Sequence, residues 1–139
     1  INSPFLARWP GKIKPGTTSN HISAFWDVMP TMAELTGQPV PKQADGLSFL
    51  SALLGKKQKK HGYLYFEHPQ TKDHDKAVRM GNWKGVLRGW KKWNNRTGKI
   101  ELYDLSKDPG ESKNLADKHP KIVARMKSCM DEAHTPLKK

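Results

Sequence analysis

One cysteine, Cys129, stands in 139 residues. A lone thiol excludes an internal disulfide and a cysteine-rich zinc site, and it leaves the redox compartment open. Long apolar runs are lacking as well. No stretch of about 18 apolar residues occurs, and residues 1–30 hold no basic start followed by an apolar block, so the chain shows neither a membrane span nor a signal peptide. The familiar catalytic signatures are also absent: no glycine-rich loop leads into Lys-Ser or Lys-Thr, and neither His-Glu-x-x-His nor Gly-x-Ser-x-Gly occurs. The mechanisms that need those groups are disfavoured. Acidic residues are few, 13 against 25 Lys plus Arg, which leaves a net charge of +12.

What is present is enough to fold. Hydrophobic residues make up 35% of the chain and include five Trp, three Tyr and four Phe, which argues against wholesale disorder. The positive excess is concentrated: residues 55–99 hold thirteen basic and three acidic residues, net +10, while the segments on either side carry +1 each. Such a stretch attracts polyanions, whether nucleic acid, anionic lipid or sulfated glycan, or else forms a solvated lysine-rich face.

Along the chain, Pro4 to Gly11 reads as a short apolar strand ended by a Pro-Gly turn. No later segment near this end offers it a partner, so the pattern looks like a cut from a longer protein whose partner strand lies upstream of Ile1. From Ser23, a candidate cap, Phe25, Val28, Met29, Met32 and Leu35 recur at helical spacing up to a glycine stop at Gly37. Pro30 either kinks this helix or marks its true first turn. Residues 48–54 read as a short helix stopped by Gly55. Four short apolar stretches follow at 63–66, 77–80, 83–87 and 100–103, with a tight turn at Gly81-Asn82. Four antiparallel strands are the economical reading. Pro120 opens a last helix whose Ile122, Val123, Met126, Met130 and Ala133 share a face, with Cys129 as a small core residue beside them.

The densest polar cluster spans residues 67–76 and includes Glu67, His68, Lys72, Asp73, His74, Asp75 and Lys76. A metal site there matches no established ligand spacing, and the neighbouring lysines oppose a cation. A hairpin loop facing a ligand and a merely solvated loop both remain open. Trp83, Trp90 and Trp93 stand among Lys84, Arg88, Lys91, Lys92 and Arg96, an interleaving also used to bind single strands or stack sugars. Trp83, within a strand, reads instead as core, so Trp83→Ala is expected to cost about 3–5 kcal/mol if it is buried. Asn95-Arg96-Thr97 formally fits a glycosylation acceptor.

Several blocks in order resemble one family. Phe5-Leu6-Ala7-Arg8-Trp9-Pro10-Gly11-Lys12-Ile13-Lys14-Pro15-Gly16, Asp27-Val28-Met29-Pro30-Thr31 and Asp45-Gly46-Leu47-Ser48 are similar to successive landmarks of the type I, arylsulfatase-type sulfatases. So are Ala77 to Lys84 and the run from Glu101 to Glu111 with Asn114-Leu115-Ala116. The resemblance implies an α+β piece: a small four-stranded antiparallel sheet packed on a C-terminal helix, with N-terminal segments that belong to a larger alkaline-phosphatase-like α/β domain. Residues 1–55 would be the end of that core and residues 56–139 the C-terminal subdomain. It further implies a sulfuric ester hydrolase whose nucleophile, a formylglycine matured from a Cys/Ser-x-Pro-x-Arg motif, and whose calcium ligands lie in the N-terminal part. Neither that motif nor those ligands occur in this chain, so no catalytic or metal residue is carried over and the chain alone is expected to be inactive. Its partners would be the catalytic domain of the same chain and a sulfated carbohydrate, in a secreted or periplasmic enzyme. Its role would be to help close the substrate cleft, with His68, Lys72 and His74 as the candidate substrate contacts and Arg79, Trp83 and Lys84 as structural residues. The alternative is a self-standing basic module for sulfated polysaccharide or nucleic acid.

Overall fold

The computed structural model describes residues 3–70, 73–88 and 98–135, apart from the side chains of residues 69–70 and 73–74. The chain forms two compact units, residues 1–61 and residues 62–139. None of the described helices is long and apolar enough to cross a membrane.

In the first unit, residues 3–9 carry no strand ladder; the strand read from Pro4 to Gly11 is expected to pair with a segment upstream of Ile1. A strand needs a neighbour to satisfy its backbone groups, and this segment has none among the described residues. A 3-10 turn, Phe25–Asp27, leads into α1 (Val28–Thr36), and Gly37 ends it in the left-handed conformation at φ 68°. Pro30 falls in the first turn of α1, where a missing N–H breaks no intrahelical bond, so it marks the helix start and not a kink. Ser23 does not cap this helix. No side chain caps α1: the Asp27 carboxylate reaches back across the 3-10 turn and accepts the Ala24 N–H at 2.7 Å. Of the residues that share this spacing, Phe25, Met29, Met32 and Leu35 are exposed, at 90, 57, 46 and 40% of their surface, while Asp27, Pro30 and Thr31 are buried. α2 is a single turn, Leu50–Leu53, closed by Gly55 at φ 68°.

The second unit is a meander of β1 (Leu64–Gln70), β2 (Asp73–Met80), β3 (Trp83–Leu87) and β4 (Ile100–Asp104), all antiparallel and in that spatial order. Gly81, at φ 58°, makes the β2–β3 turn. α3 (Pro120–Ala133) starts on Pro120 and packs on one sheet face, with Met126, Cys129 and Met130 buried against Val78, Ile100 and Leu102. Val78, Gly85 and Leu102 lie in one cross-strand row. A Cβ at Gly85 would sit 3.0 Å from Met126 Cγ, so the missing side chain is what lets the helix approach the sheet. Trp83 is half-buried beside this core with its ring 4.9 Å from that of His119, so its removal should cost less than a fully buried indole would. The outer edge of β4 is occupied: Leu115 N–H donates to Leu102 O at 2.8 Å, and Asn114 Oδ1 accepts the Leu102 N–H at 3.0 Å.

Candidate functional site

The polar residues gather in three places. The first surrounds Asp27. Its carboxylate is fully buried and accepts the Ala24 N–H at 2.7 Å, the Leu47 N–H at 2.8 Å and His61 Nε2 at 2.9 Å. The contact requires the His61 proton on Nε2. One helical turn on, Thr31 Oγ1 donates to Asp27 O at 2.7 Å and accepts the Phe49 N–H at 3.0 Å. Gly46 passes so close that a Cβ there would lie 2.3 Å from Trp26 O. The landmarks Asp27–Thr31 and Asp45–Ser48 are thus two halves of one latch. Nearby, burial lowers the His21 pKa below its usual 6.5, against the pull of Asp27 and with help from His61 and Lys60. Among the described residues no three His, Cys, Asp or Glu side chains converge on a point. Both Asp27 oxygens are already committed, so this set does not fit a calcium cage and no chemical step is assigned to it.

The second place is the β1–β2 hairpin. Its ladder runs from Leu64 opposite Arg79 to Gln70 opposite Asp73, leaving residues 71–72 as the connection. The expected loop at 67–76 is therefore mostly strand. One face of an antiparallel hairpin can meet water, so polar composition alone does not mark a loop. Pro69 is tolerated because β1 is an edge strand. His68 is exposed and registered against Asp75, whereas His74 is registered against Pro69. The two positions therefore have opposite parity along the ladder and do not share a face. Lys72 lies outside the described residues, as do Trp90, Trp93 and Asn95-Arg96-Thr97.

Behind the tip, Glu67 Oε2 accepts the Tyr65 hydroxyl at 2.6 Å and lies 2.9 Å from Nδ1 of His134, just past α3. Burial alone would raise the Glu67 carboxyl. The Tyr65 hydroxyl, His134 and Lys76 outweigh it and hold the group below its ordinary 4.5. Burial, followed by the bond to Glu67, pushes the Tyr65 phenol upward. Arg79 Nε donates to Gly81 O at 3.3 Å, and Lys84 pairs with Glu111, so both serve the sheet and its turns.

The third place is the segment after α2, where Lys56, Lys57, Lys59 and Lys60 are exposed around a half-buried Gln58. Asp27–His61, Glu67–His134 and the anchoring of Gln58 were not foreseen from the sequence. Only Asp27 left a signal, by standing inside a landmark.

A family model described as N-sulphoglucosamine sulphohydrolase, C-terminal, matches residues 1–135. The chain belongs to the sulfatases, as a C-terminal part. This sulfatase segment is 32% identical over 144 residues to an N-acetylgalactosamine-6-O-sulfatase of Bacteroides thetaiotaomicron, covering 95% of this chain and 27% of that protein. It is 32% identical over 150 residues to human arylsulfatase A, covering 91% of this chain and 29% of that protein. Among solved structures it resembles a sulfatase from a glycosaminoglycan-metabolising locus of Bacteroides thetaiotaomicron, with a TM-score of 0.69 at 28% identity over 90% of this chain and 27% of the other. The sulfatase chain therefore spans less than a third of the length of these relatives. The family assignment and the α+β architecture, a four-stranded antiparallel sheet on a helix, agree with the expectation from the ordered landmarks. A self-standing basic module finds no support in these likenesses.

Proposed function

We propose that this chain is the non-catalytic C-terminal part of an enzyme that hydrolyses sulfate esters of carbohydrates. The match of the family model across residues 1–135 carries the reading. It is supported by the sequence, which lacks the Cys/Ser-x-Pro-x-Arg nucleophile motif. The formylglycine and the calcium belong to an N-terminal catalytic part of the same protein, which is the partner of this chain. The exposed apolar side of α1, with Phe25, Met29 and Met32, supports that partnership, because contiguous apolar surface of this kind is normally covered. Residues 1–55 are on this reading the end of the α/β core and residues 56–139 the closing subdomain. A carbohydrate sulfate ester as substrate, and a secreted or periplasmic location, follow from the same kinship.

The β1–β2 hairpin is the element that helps close the substrate cleft, with His68, Lys72 and His74 as substrate contacts. A sulfate ester presents a fixed negative charge that Lys and protonated His recognise through charge-assisted hydrogen bonds. The test is sulfate release by the full-length protein. His68→Ala, Lys72→Ala and His74→Ala are expected to raise KM on the sulfated carbohydrate by about tenfold each, one lost charge-assisted contact, with kcat little changed. Unchanged KM in all three variants would remove the hairpin from the substrate site. Failure of the full-length protein to release sulfate from any ester would remove the enzymatic reading itself.

A further inference from the structure

We propose that Lys56, Lys57, Lys59 and Lys60 form a preorganised docking surface for a sulfated polysaccharide, made of residues other than the hairpin contacts. The inference rests on the sulfatase reading for its choice of polymer. Its physical basis is the way this short segment is held. The turn after α2 is closed by Gly55 N–H to Ala52 O at 3.2 Å and Lys56 N–H to Ser51 O at 2.8 Å. Gln58 then fastens the middle: its Oε1 accepts the Ala52 N–H at 3.0 Å, and its Nε2 donates to Ser48 O at 2.7 Å and to Lys59 O at 3.0 Å. The far end is tied by His61 to the buried Asp27. A run of polar residues that would otherwise be a loose linker is pinned at its start, centre and end.

The four lysines point the other way, into solvent. All four are exposed, and among the described residues none of them is paired with a carboxylate. The sequence has no acidic residue between Asp45 and Glu67, so nothing nearby along the chain offsets the charge. Four like charges within five residues repel one another, and the backbone anchors hold them together despite that repulsion. An anion that bridges them relieves the repulsion at little entropic cost, because the backbone is already ordered.

The residue type points to the class of polymer. Lysine ammoniums are point charges that attract sulfate and phosphate alike, but no Phe, Tyr or Trp occurs between Phe49 and Tyr63 to stack a base. That combination suits sulfate groups spaced along a flexible glycan and gives a contact that tolerates shifts in register. A chain held this way stays beside the enzyme while successive esters are presented to the catalytic site.

The test compares the full-length protein with K56Q/K57Q/K59Q/K60Q and with K107Q/K113Q/K118Q/K121Q. The second variant removes the same charge from exposed lysines of the other unit. Heparin, chemically desulfated heparin and single-stranded DNA are titrated at several salt concentrations, and turnover of a small aryl sulfate is measured in parallel. The expected result is a loss of heparin affinity of about tenfold or more, with a shallower salt dependence, in the first variant only. Turnover of the small ester stays unchanged, and desulfated heparin is bound weakly by every protein. Equal losses in both variants, no loss in the first, or DNA bound as tightly as heparin would each overturn the proposal. Absence of aryl sulfate turnover in the parent would count against the enzymatic reading and leave the heparin comparison valid.

Discussion

Helices α1 and α3 carry apolar residues at the same spacing, yet α3 turns them inward and α1 turns them out. In α3, Met126, Cys129 and Met130 are buried against the sheet. In α1 the buried positions are Pro30 and Thr31, with Asp27 buried just before them, and the methionines are exposed. The difference lies in what each helix packs on within this chain. The second unit brings its own apolar sheet, so burial of each methionine contributes about 1.5–3 kcal/mol. The first unit buries little of its apolar surface, with Phe49 against Phe5 as its described apolar contact, and hydrogen bonds to the Asp27 carboxylate join its segments. One unit is organised around a core and the other around a polar latch.

The sharpest way to break this contrast is to remove the latch. Asp27→Ala leaves the Ala24 and Leu47 amides and His61 without their acceptor and is expected to cost about 3–5 kcal/mol in the first unit. Hydrogen exchange checks it: protection should vanish at residues 24 and 47 and persist at 78 and 102. Next in size is Met126→Ala, which opens a cavity under Gly85 and should cost about 2–5 kcal/mol in chemical denaturation. A cost below about 1 kcal/mol would mean that α3 does not hold the sheet in this way.

Gly46→Ala forces a methyl group against Trp26 O and should cost about 1–3 kcal/mol, confined to the first unit. A smaller effect is expected from acid. Because Glu67 titrates below its ordinary 4.5 in the folded state, its contribution is complete above that value and is lost as pH falls through the lower folded one. Glu67→Gln should therefore flatten the acid limb of the stability profile of the second unit. An acid limb identical in the parent and the variant would contradict that linkage. The smallest change is predicted for Met32→Ser, within about 0.5 kcal/mol in this chain. The same substitution in the full-length protein should cost more, and equal costs in both would mean that the outer side of α1 stays uncovered.

Legibility in the sequence followed the same division. The second unit could be read because local signals are strong there: Gly81 needs a positive φ, Pro120 opens a helix, and the stripe through Met126 and Met130 meets apolar strands. The stripe of α1 was just as visible, but periodicity tells which residues share a face and not which face is covered. Strand character at Pro4 depends in the same way on a neighbour, which the sequence reading places upstream of Ile1. Residues 73–76 were hidden by their charge, although an edge hairpin accepts charge readily. The candidate contacts were legible only as composition: His68 and His74 stood close together in the cluster, and the ladder separates their parity. The Asp27 latch could not be read at all as a latch, because its partners lie 20 and 34 residues away.

Cys129 gives the second unit a clock. Its thiol is fully enclosed between α3 and the sheet, and no other cysteine exists in the chain. An alkylating reagent can reach it only when that helix lifts away, so the labelling rate counts openings of this unit one event at a time while the first unit stays chemically silent.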